Sequence, residues 1–263
     1  MNFIDAFILG VVEGVTEFLP VSSTGHMILA SSLLKIADNS FTKSFEIIIQ
    51  LGAILAVVFL YREKIFKNFN LMFKVFTAFI PTAVIGLALY SFVKNYLLGN
   101  VYVVISALFF GGIILIAFEQ NKKDIGTKSA VQSIDDVEHI STKQAIYVGL
   151  FQAIAIIPGI SRSAATIIGG EIVGLSRKVI AEFSFLLAVP VMLAASALDI
   201  FKHHDVFSGA DIQLLGAGFI TAFIVALVAI KSFLAYVQRH SFTAFGVYRI
   251  IVSLAFLGVL YVL

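Results

Sequence analysis

The sequence predicts an all-α integral membrane protein: six transmembrane helices plus two broken, re-entrant helix hairpins, arranged as an inverted-topology repeat. Three observations carry this prediction. The 263 residues are 60% hydrophobic and only 13% charged, which is more apolar surface than a soluble domain buries. Six apolar runs are long enough to cross a bilayer, and two further pairs of short runs are each interrupted at a proline. Residue identities also recur at one constant spacing along the chain.

The first apolar run, 3–19, is interrupted by Glu13 and Glu17 and stopped at Pro20. The piece after it, 22–34, has only about four turns, whereas a span needs about 20 residues to cross about 30 Å of hydrocarbon. Full-length runs follow at 45–61, 73–92 and 101–118. The pattern then repeats: 145–157 stops at Pro158-Gly159, 161–173 restarts, and full-length runs return at 179–201, 212–235 and 242–262. Each broken pair reads as a hairpin that enters and leaves on one side. Broken backbone at membrane depth is tolerated only inside protein or against a wet cavity. The single long polar stretch, 120–142, reads as a solvated cytoplasmic connector without chemistry. It joins a first repeat over 1–119 to a second over 143–263 within one membrane domain.

Twelve Lys and Arg fall on the side of the 62–74 loop and four on the other, with Arg162 and Arg249 left inside apolar stretches, out of 18. The bias puts the connector in the cytoplasm and both termini outside. No basic n-region precedes the first run, which carries Asp5 and Glu13, so it is not read as a cleaved signal peptide. At an offset of 138, Pro20 falls on Pro158, Ser23 on Ser161, Phe45 on Phe183, Leu55 on Leu193 and Ala56 on Ala194. Opposite hairpin orientations with a shared offset indicate an inverted duplication, which lets the two breaks meet near the membrane centre. A net charge of +2 gives no support for a nucleic-acid partner, and the absence of cysteine excludes disulfides, thiolate metal sites and a cysteine nucleophile.

The chemistry concentrates at the two breaks. Glu13 and Glu17 are four apart and share a helix face. Ionised carboxylates are costly in hydrocarbon, so the pair faces a polar cavity, binds a cation or shares a proton, unless it forms a solvated interfacial face. Ser22 or Ser23 is placed to cap the next half-helix, whose free N–H groups suit a phosphate. His26, one turn after Ser23, is a candidate for proton transfer or nucleophilic attack, or a packing residue. Arg162 stands between Ser161 and Ser163 at the start of the second restarted half-helix, where its planar fork suits phosphoryl oxygens or an ion pair with Glu13 or Glu17. With Thr24 and Thr166, the serines Ser22, Ser23, Ser161 and Ser163 are candidate phosphate-binding hydroxyls around both half-helix starts, beside Arg162. Glu46, Gln50, Glu171, Glu182 and Arg249 read as members of buried networks or of the interface. His203, His204 and Asp205 read as a solvated loop rather than a metal site.

No Walker loop, H-E-x-x-H or G-x-S-x-G occurs, so ATP-driven work, zinc chemistry and α/β-hydrolase chemistry lack sequence support. Carboxylate, hydroxyl, imidazole and guanidinium groups at two helix N-termini describe a phosphoryl-transfer or phosphate-recognition site for a lipid-borne substrate. A secondary transporter or flippase for a lipid phosphate or another anion is the alternative, since it uses the same broken helices.

The segments E-G-V-T-E-F-L-P-V-S-S-T-G-H-M (Glu13 to Met27), F-x-x-x-x-Q-L-G (Phe45 to Gly52) and P-G-I-S-R-S-A-A-T (Pro158 to Thr166) resemble those of bacterial undecaprenyl-diphosphate phosphatases of the bacitracin-resistance type. The similarity covers essentially the whole chain. It departs at Ala164, where that family usually has glycine. The resemblance implies hydrolysis of undecaprenyl diphosphate to the monophosphate and phosphate, recycling the carrier lipid for cell-wall synthesis and contributing to bacitracin resistance. It further implies a bacterial cytoplasmic (inner) membrane location with the site toward the outer face, and a divalent cation, Mg2+ or Ca2+. The spacing of the residues suggests a mechanism in which Arg162 and the helix N-termini hold the diphosphate. Glu13 and Glu17 hold the metal or manage the proton, and Ser23 or His26 attacks. The implied partners are the isoprenoid diphosphate and membrane lipids, with a homodimer left open.

Overall fold

The computed structural model describes residues 1–37, 40–97, 100–125, 136–202 and 209–262. All regular structure in it is helical apart from one isolated bridge residue. The chain runs through α1 (Phe3–Thr16), α2 (Ser23–Leu33), α3 (Ser40–Leu60), a short α4 (Arg62–Lys67), α5 (Phe69–Phe92) and α6 (Val101–Ile125). It continues with α7 (Thr142–Ala153), α8 (Arg162–Ile172), α9 (Arg177–Lys202), α10 (Gly209–Val237) and α11 (Thr243–Val262).

Six of these helices, α3, α5, α6, α9, α10 and α11, contain stretches long and apolar enough to cross a membrane, from Phe41–Leu60 to Thr243–Leu260. They coincide with the six full-length runs of the sequence. The expected 62–74 loop is instead α4 followed directly by the start of α5. The Asn68 side chain caps that start by accepting from the Leu71 N–H at 2.9 Å, a local signal that hydropathy does not register. α6 extends into the expected connector, which also contains a 3-10 turn at Val137–His139. Residues 126–135 of that connector, and His203, His204 and Asp205, lie outside the described residues.

The short helices start on strong caps. Asn2 and Asp5 form a reciprocal capping box at the head of α1, as Ser141 and Gln144 do at the head of α7. α1 ends at Thr16, and turns carry the chain past Pro20 to α2. α7 tightens into a 3-10 turn over Ile154–Ile156 before Pro158 stops it. Proline disfavours helix in the residue before it, so both segments unwind short of their prolines.

α1 packs along α10 and α7 along α5, each through a glycine. A Cβ on Gly10 would come within 2.7 Å of the Gly218 carbonyl oxygen, and one on Gly149 would strike the Ala78 backbone carbonyl. Only a missing side chain permits that approach, as in membrane helix pairs generally. α6 lies along α11 through Gly111, Gly112 and Gly246. The core between these layers is aromatic and aliphatic; Phe18 meets Phe185 edge to face at 5.1 Å. Phe69, Phe73, Leu87 and Phe201 face outward, as a lipid-contacting surface requires. Lys64 pairs with Glu182 at 2.9 Å, and Arg177 joins Glu119 at 2.6 Å to Glu171 at 3.2 Å. Lys74 donates to the Glu138 carbonyl at 2.8 Å. These bonds tie the starts of α5, α9 and α11 to the end of α6 and to the connector.

Candidate active site

The two breaks lie against each other. Ser22 caps α2 and Ser161 caps α8, each accepting from the N–H three residues on, Gly25 at 3.4 Å and Ala164 at 3.3 Å. Both capping serines have positive φ, 71° and 76°. That region suits glycine and costs another residue about 1–3 kcal/mol, so strain is concentrated where the half-helices begin.

Between the breaks Glu17 is the hub. Its Oε2 accepts from the Ser23 hydroxyl at 2.5 Å, and its Oε1 accepts from Arg162 Nη2 at 2.6 Å. The carboxylate is almost wholly buried and the Arg162 side chain is 9% exposed. Arg162 Nη1 donates to the Ser184 carbonyl at 2.8 Å and faces its hydroxyl at 3.3 Å; that hydroxyl meets Thr166 Oγ1 at 2.7 Å. Arg162 Nε is buried without a partner. Ser163 donates to the Leu19 carbonyl at 2.8 Å, crossing from the second break to the first, and sits 3.2 Å from the Ser161 hydroxyl.

A cavity of about 200 Å³ opens on this cluster. Glu17, Ser22, Ser23, Thr24, Ser161 and Arg162 line it, all of them candidates from the sequence. Ser163 and Thr166 do not line it; they brace the break and the arginine instead. Thr82 on α5 and Gln152 on α7 also line the cavity and were not candidates. Gln152 Nε2 donates to Thr82 Oγ1 at 2.9 Å, and Thr82 donates to the Gly149 carbonyl at 3.0 Å. Thr82 lies inside an apolar run and carries no signal of its own. Gln152 could have been noticed as an amide two turns before Pro158.

His26 is not at this cavity. Its Nδ1 is 2.8 Å from the Ser22 carbonyl, and its Nε2 is 2.8 Å from the Tyr248 hydroxyl of α11. A carbonyl only accepts, so Nδ1 carries the proton; in the neutral ring Nε2 then accepts from tyrosine. The two rings stack at 5.5 Å, nearly parallel. Glu13 is fully buried one turn before Glu17, and neither of its oxygens accepts a hydrogen bond. Its charged neighbours are Glu17, Glu46 and Arg162. An unmet buried carboxylate is what a bound cation or an extra proton would satisfy. Among the described residues, no three acidic, histidine or cysteine side chains converge as a ready-made metal cage.

Residues 6–255 match the family model described as "Bacitracin resistance protein BacA". A Wolinella succinogenes protein named undecaprenyl-diphosphatase is 49% identical, over 98% of each chain. Proteins of the same name from Persephonella marina and Aquifex aeolicus are 49% and 47% identical, the first over 98% of each chain, the second over 95% of this chain and 96% of its own.

Proposed function

This chain belongs to the bacitracin resistance protein BacA family, and from that premise we propose that it hydrolyses undecaprenyl diphosphate to undecaprenyl phosphate and inorganic phosphate. The reaction returns the carrier lipid to cell-wall synthesis and, by consuming the diphosphate, contributes to bacitracin resistance. The observation that carries the assignment of the site is the Ser23–Glu17–Arg162 chain of short hydrogen bonds, drawn from both breaks and opening on one cavity.

Substrate binding falls to the cationic and N–H groups. The half-helix starts at Ser23 and Arg162 offer free N–H donors and the positive ends of two helix dipoles. Arg162 adds a fixed charge, held in place by Ser184. The terminal phosphate lies over these donors, and the isoprenoid leaves along the apolar wall of Ile156, Val191 and Met192.

Ser23 Oγ attacks the terminal phosphorus while Glu17 takes the hydroxyl proton. The bond from that phosphorus to the bridging oxygen breaks, and the electron pair leaves with undecaprenyl phosphate. Glu17 gives that proton to the departing undecaprenyl phosphate. Water then attacks the phosphoserine with Glu17 again as base, the bond from phosphorus to the Ser23 oxygen breaks, and Glu17 returns the proton to Ser23 as inorganic phosphate leaves. Serine is favoured over His26 because Ser23 already donates to a carboxylate in the cavity, whereas both ring nitrogens of His26 are engaged elsewhere. His26 fixes the Ser22 carbonyl, one residue from the nucleophile.

A divalent cation, Mg2+ or Ca2+, fits this donor set. Glu13, whose hard oxygens accept no hydrogen bond, and Glu17, one turn away, would hold it. When bound, the cation would neutralise charge on the diphosphate.

The protein is a multi-pass membrane protein; the bacterial inner membrane, with the cavity reached from the outer face, is the setting that agrees with the Lys and Arg bias. The inverted repeat is supported by paired features: Asn2 with Ser141 as boxed caps, Ser22 with Ser161 as positive-φ caps, and the Gly10–Thr221 contact with the Gly149–Thr82 bond. These pairs share a spacing of 139, one more than the spacing of the residue identities. The two α-helical hairpins are then re-entrant from opposite sides. A carrier would share this fold but would leave the Ser23–Glu17 contact without a use.

The decisive experiment is phosphate release from undecaprenyl diphosphate by purified protein in detergent, with and without Mg2+ or Ca2+. Metal-dependent release, lost in Glu17→Ala and Arg162→Ala, is expected. A trapped phosphoenzyme should be acid-stable and base-labile and absent in Ser23→Ala; an acid-labile, base-stable species would move the attack to histidine.

A further inference from the structure

Arg249 on α11 is fully buried, yet its partners are all backbone carbonyls. Nη1 donates to Pro20 at 3.3 Å and Ile160 at 2.8 Å, and Nη2 to Gly159 at 2.9 Å and Ala107 at 3.0 Å. Nε faces the Leu108 carbonyl at 3.4 Å. A guanidinium has five N–H donors, and here five carbonyls meet them. Three belong to the breaks: Pro20 to the first, Gly159 and Ile160 to the second. Where a helix is broken at membrane depth its carbonyls lose their partners, at a cost of several kcal/mol each in hydrocarbon. One side chain therefore answers orphans from both breaks.

The approach is built into a second helix. Gly111 on α6 faces the guanidinium so closely that a Cβ there would land on it. Pro20 lies three residues from both Glu17 and Ser23, and Ile160 two residues from Arg162.

We infer that Arg249 is a positioning residue for the reaction, one guanidinium that bonds both breaks and so holds the Glu17–Ser23 half of the site at a fixed gap from the Arg162 half. Because a catalytic gap is sensitive to displacements of about 1 Å, loosening this tie should cost turnover more than binding. Lysine keeps the charge but has three donors, so Arg249→Lys leaves at least two carbonyls unmet. Gly111→Ala pushes the intact guanidinium out of register from the other side.

The inference rests on the reaction occurring at Glu17, Ser23 and Arg162. Arg249→Lys, Gly111→Ala and the double variant are purified in detergent, checked for monodispersity, and assayed for phosphate release well below their thermal midpoints. The expected result is a fall in kcat of about 10- to 100-fold in each single variant, with KM within about threefold. The double variant should be no worse than the poorer single, because both disturb one tie. A kcat within twofold of the parent in folded Arg249→Lys or Gly111→Ala would overturn the positioning role even if the thermal midpoint falls. Multiplied losses in the double variant would do the same. Should Arg249→Lys not fold, the kcat and KM of Gly111→Ala decide alone. Full activity in Glu17→Ala and Arg162→Ala would instead refute the site on which the inference stands.

Discussion

Replacing Glu17 by glutamine preserves the shape of the side chain and removes both its charge and its basicity. In the structure its two oxygens serve different partners, Ser23 at 2.5 Å and Arg162 at 2.6 Å. The amide keeps one acceptor and gains a donor, so it can still bond one of them, but it does not take the serine proton. Loss of a general base costs about 10²- to 10⁴-fold in rate, or about 2.7–5.4 kcal/mol on the barrier. Ground-state binding should move the other way. Arg162 loses its counter-charge while Ser184 still holds its Nη1, so more of its field reaches the diphosphate. Steady-state phosphate release should therefore show kcat down by at least about 100-fold with KM unchanged or lower. A raised KM at unchanged kcat would refute the reasoning, since it would make Glu17 a binding residue whose proton acceptance has no role. Arg162→Lys provides the contrast: without the fork that spans Glu17 and Ser184, KM should rise as kcat falls.

Glu13→Gln should raise the concentration of Mg2+ or Ca2+ that gives half-maximal release, by about tenfold or more, with saturating activity less affected; an unshifted metal titration would remove Glu13 from the cation site. Tyr248→Phe frees His26 Nε2 and deletes one hydrogen bond of about 0.5–1.5 kcal/mol, so kcat should stay within about tenfold, and abolished turnover would return His26 to the chemistry. Gly149→Ala sets a methyl against the Ala78 carbonyl and should destabilise the α5–α7 pair by about 1–3 kcal/mol, read as a lower thermal midpoint; an unchanged midpoint would mean that the two helices part freely. Chelation should stop phosphate release and added Mg2+ or Ca2+ restore it, whereas release indifferent to chelator would end the cation proposal.

Much of this molecule is decided by local properties of the chain. Twenty apolar residues in a row have one stable disposition in a bilayer, so the six spans are legible from hydropathy. A proline after a short apolar run stops a helix wherever it folds, so the breaks at Pro20 and Pro158 are equally legible. Intramembrane charge is costly, which marks Glu13, Glu17, Arg162 and Arg249 as residues that need an account. The family-like segments lie around these same residues, and their length makes the reaction class readable without coordinates.

The tertiary structure decided which of these groups meet. Glu17 and Arg162 are 145 residues apart and pair because α1, α2, α7 and α8 bring two breaks to one place. Ser23 and His26 look equivalent in sequence, both polar and within one turn of each other. Helix rotation separates them, sending the hydroxyl to Glu17 and the imidazole to Tyr248. Thr82 and Gln152 enter the cavity, and Arg249 enters its carbonyl cage, through the rotation and close approach of helices that are distant along the chain. Sequence by itself determined the spans, the breaks and the charged residues that had to be accounted for, since burial cost and helix termination act residue by residue. The pairing of those residues depends on how helices pack at their glycines, and only the folded chain contains that information.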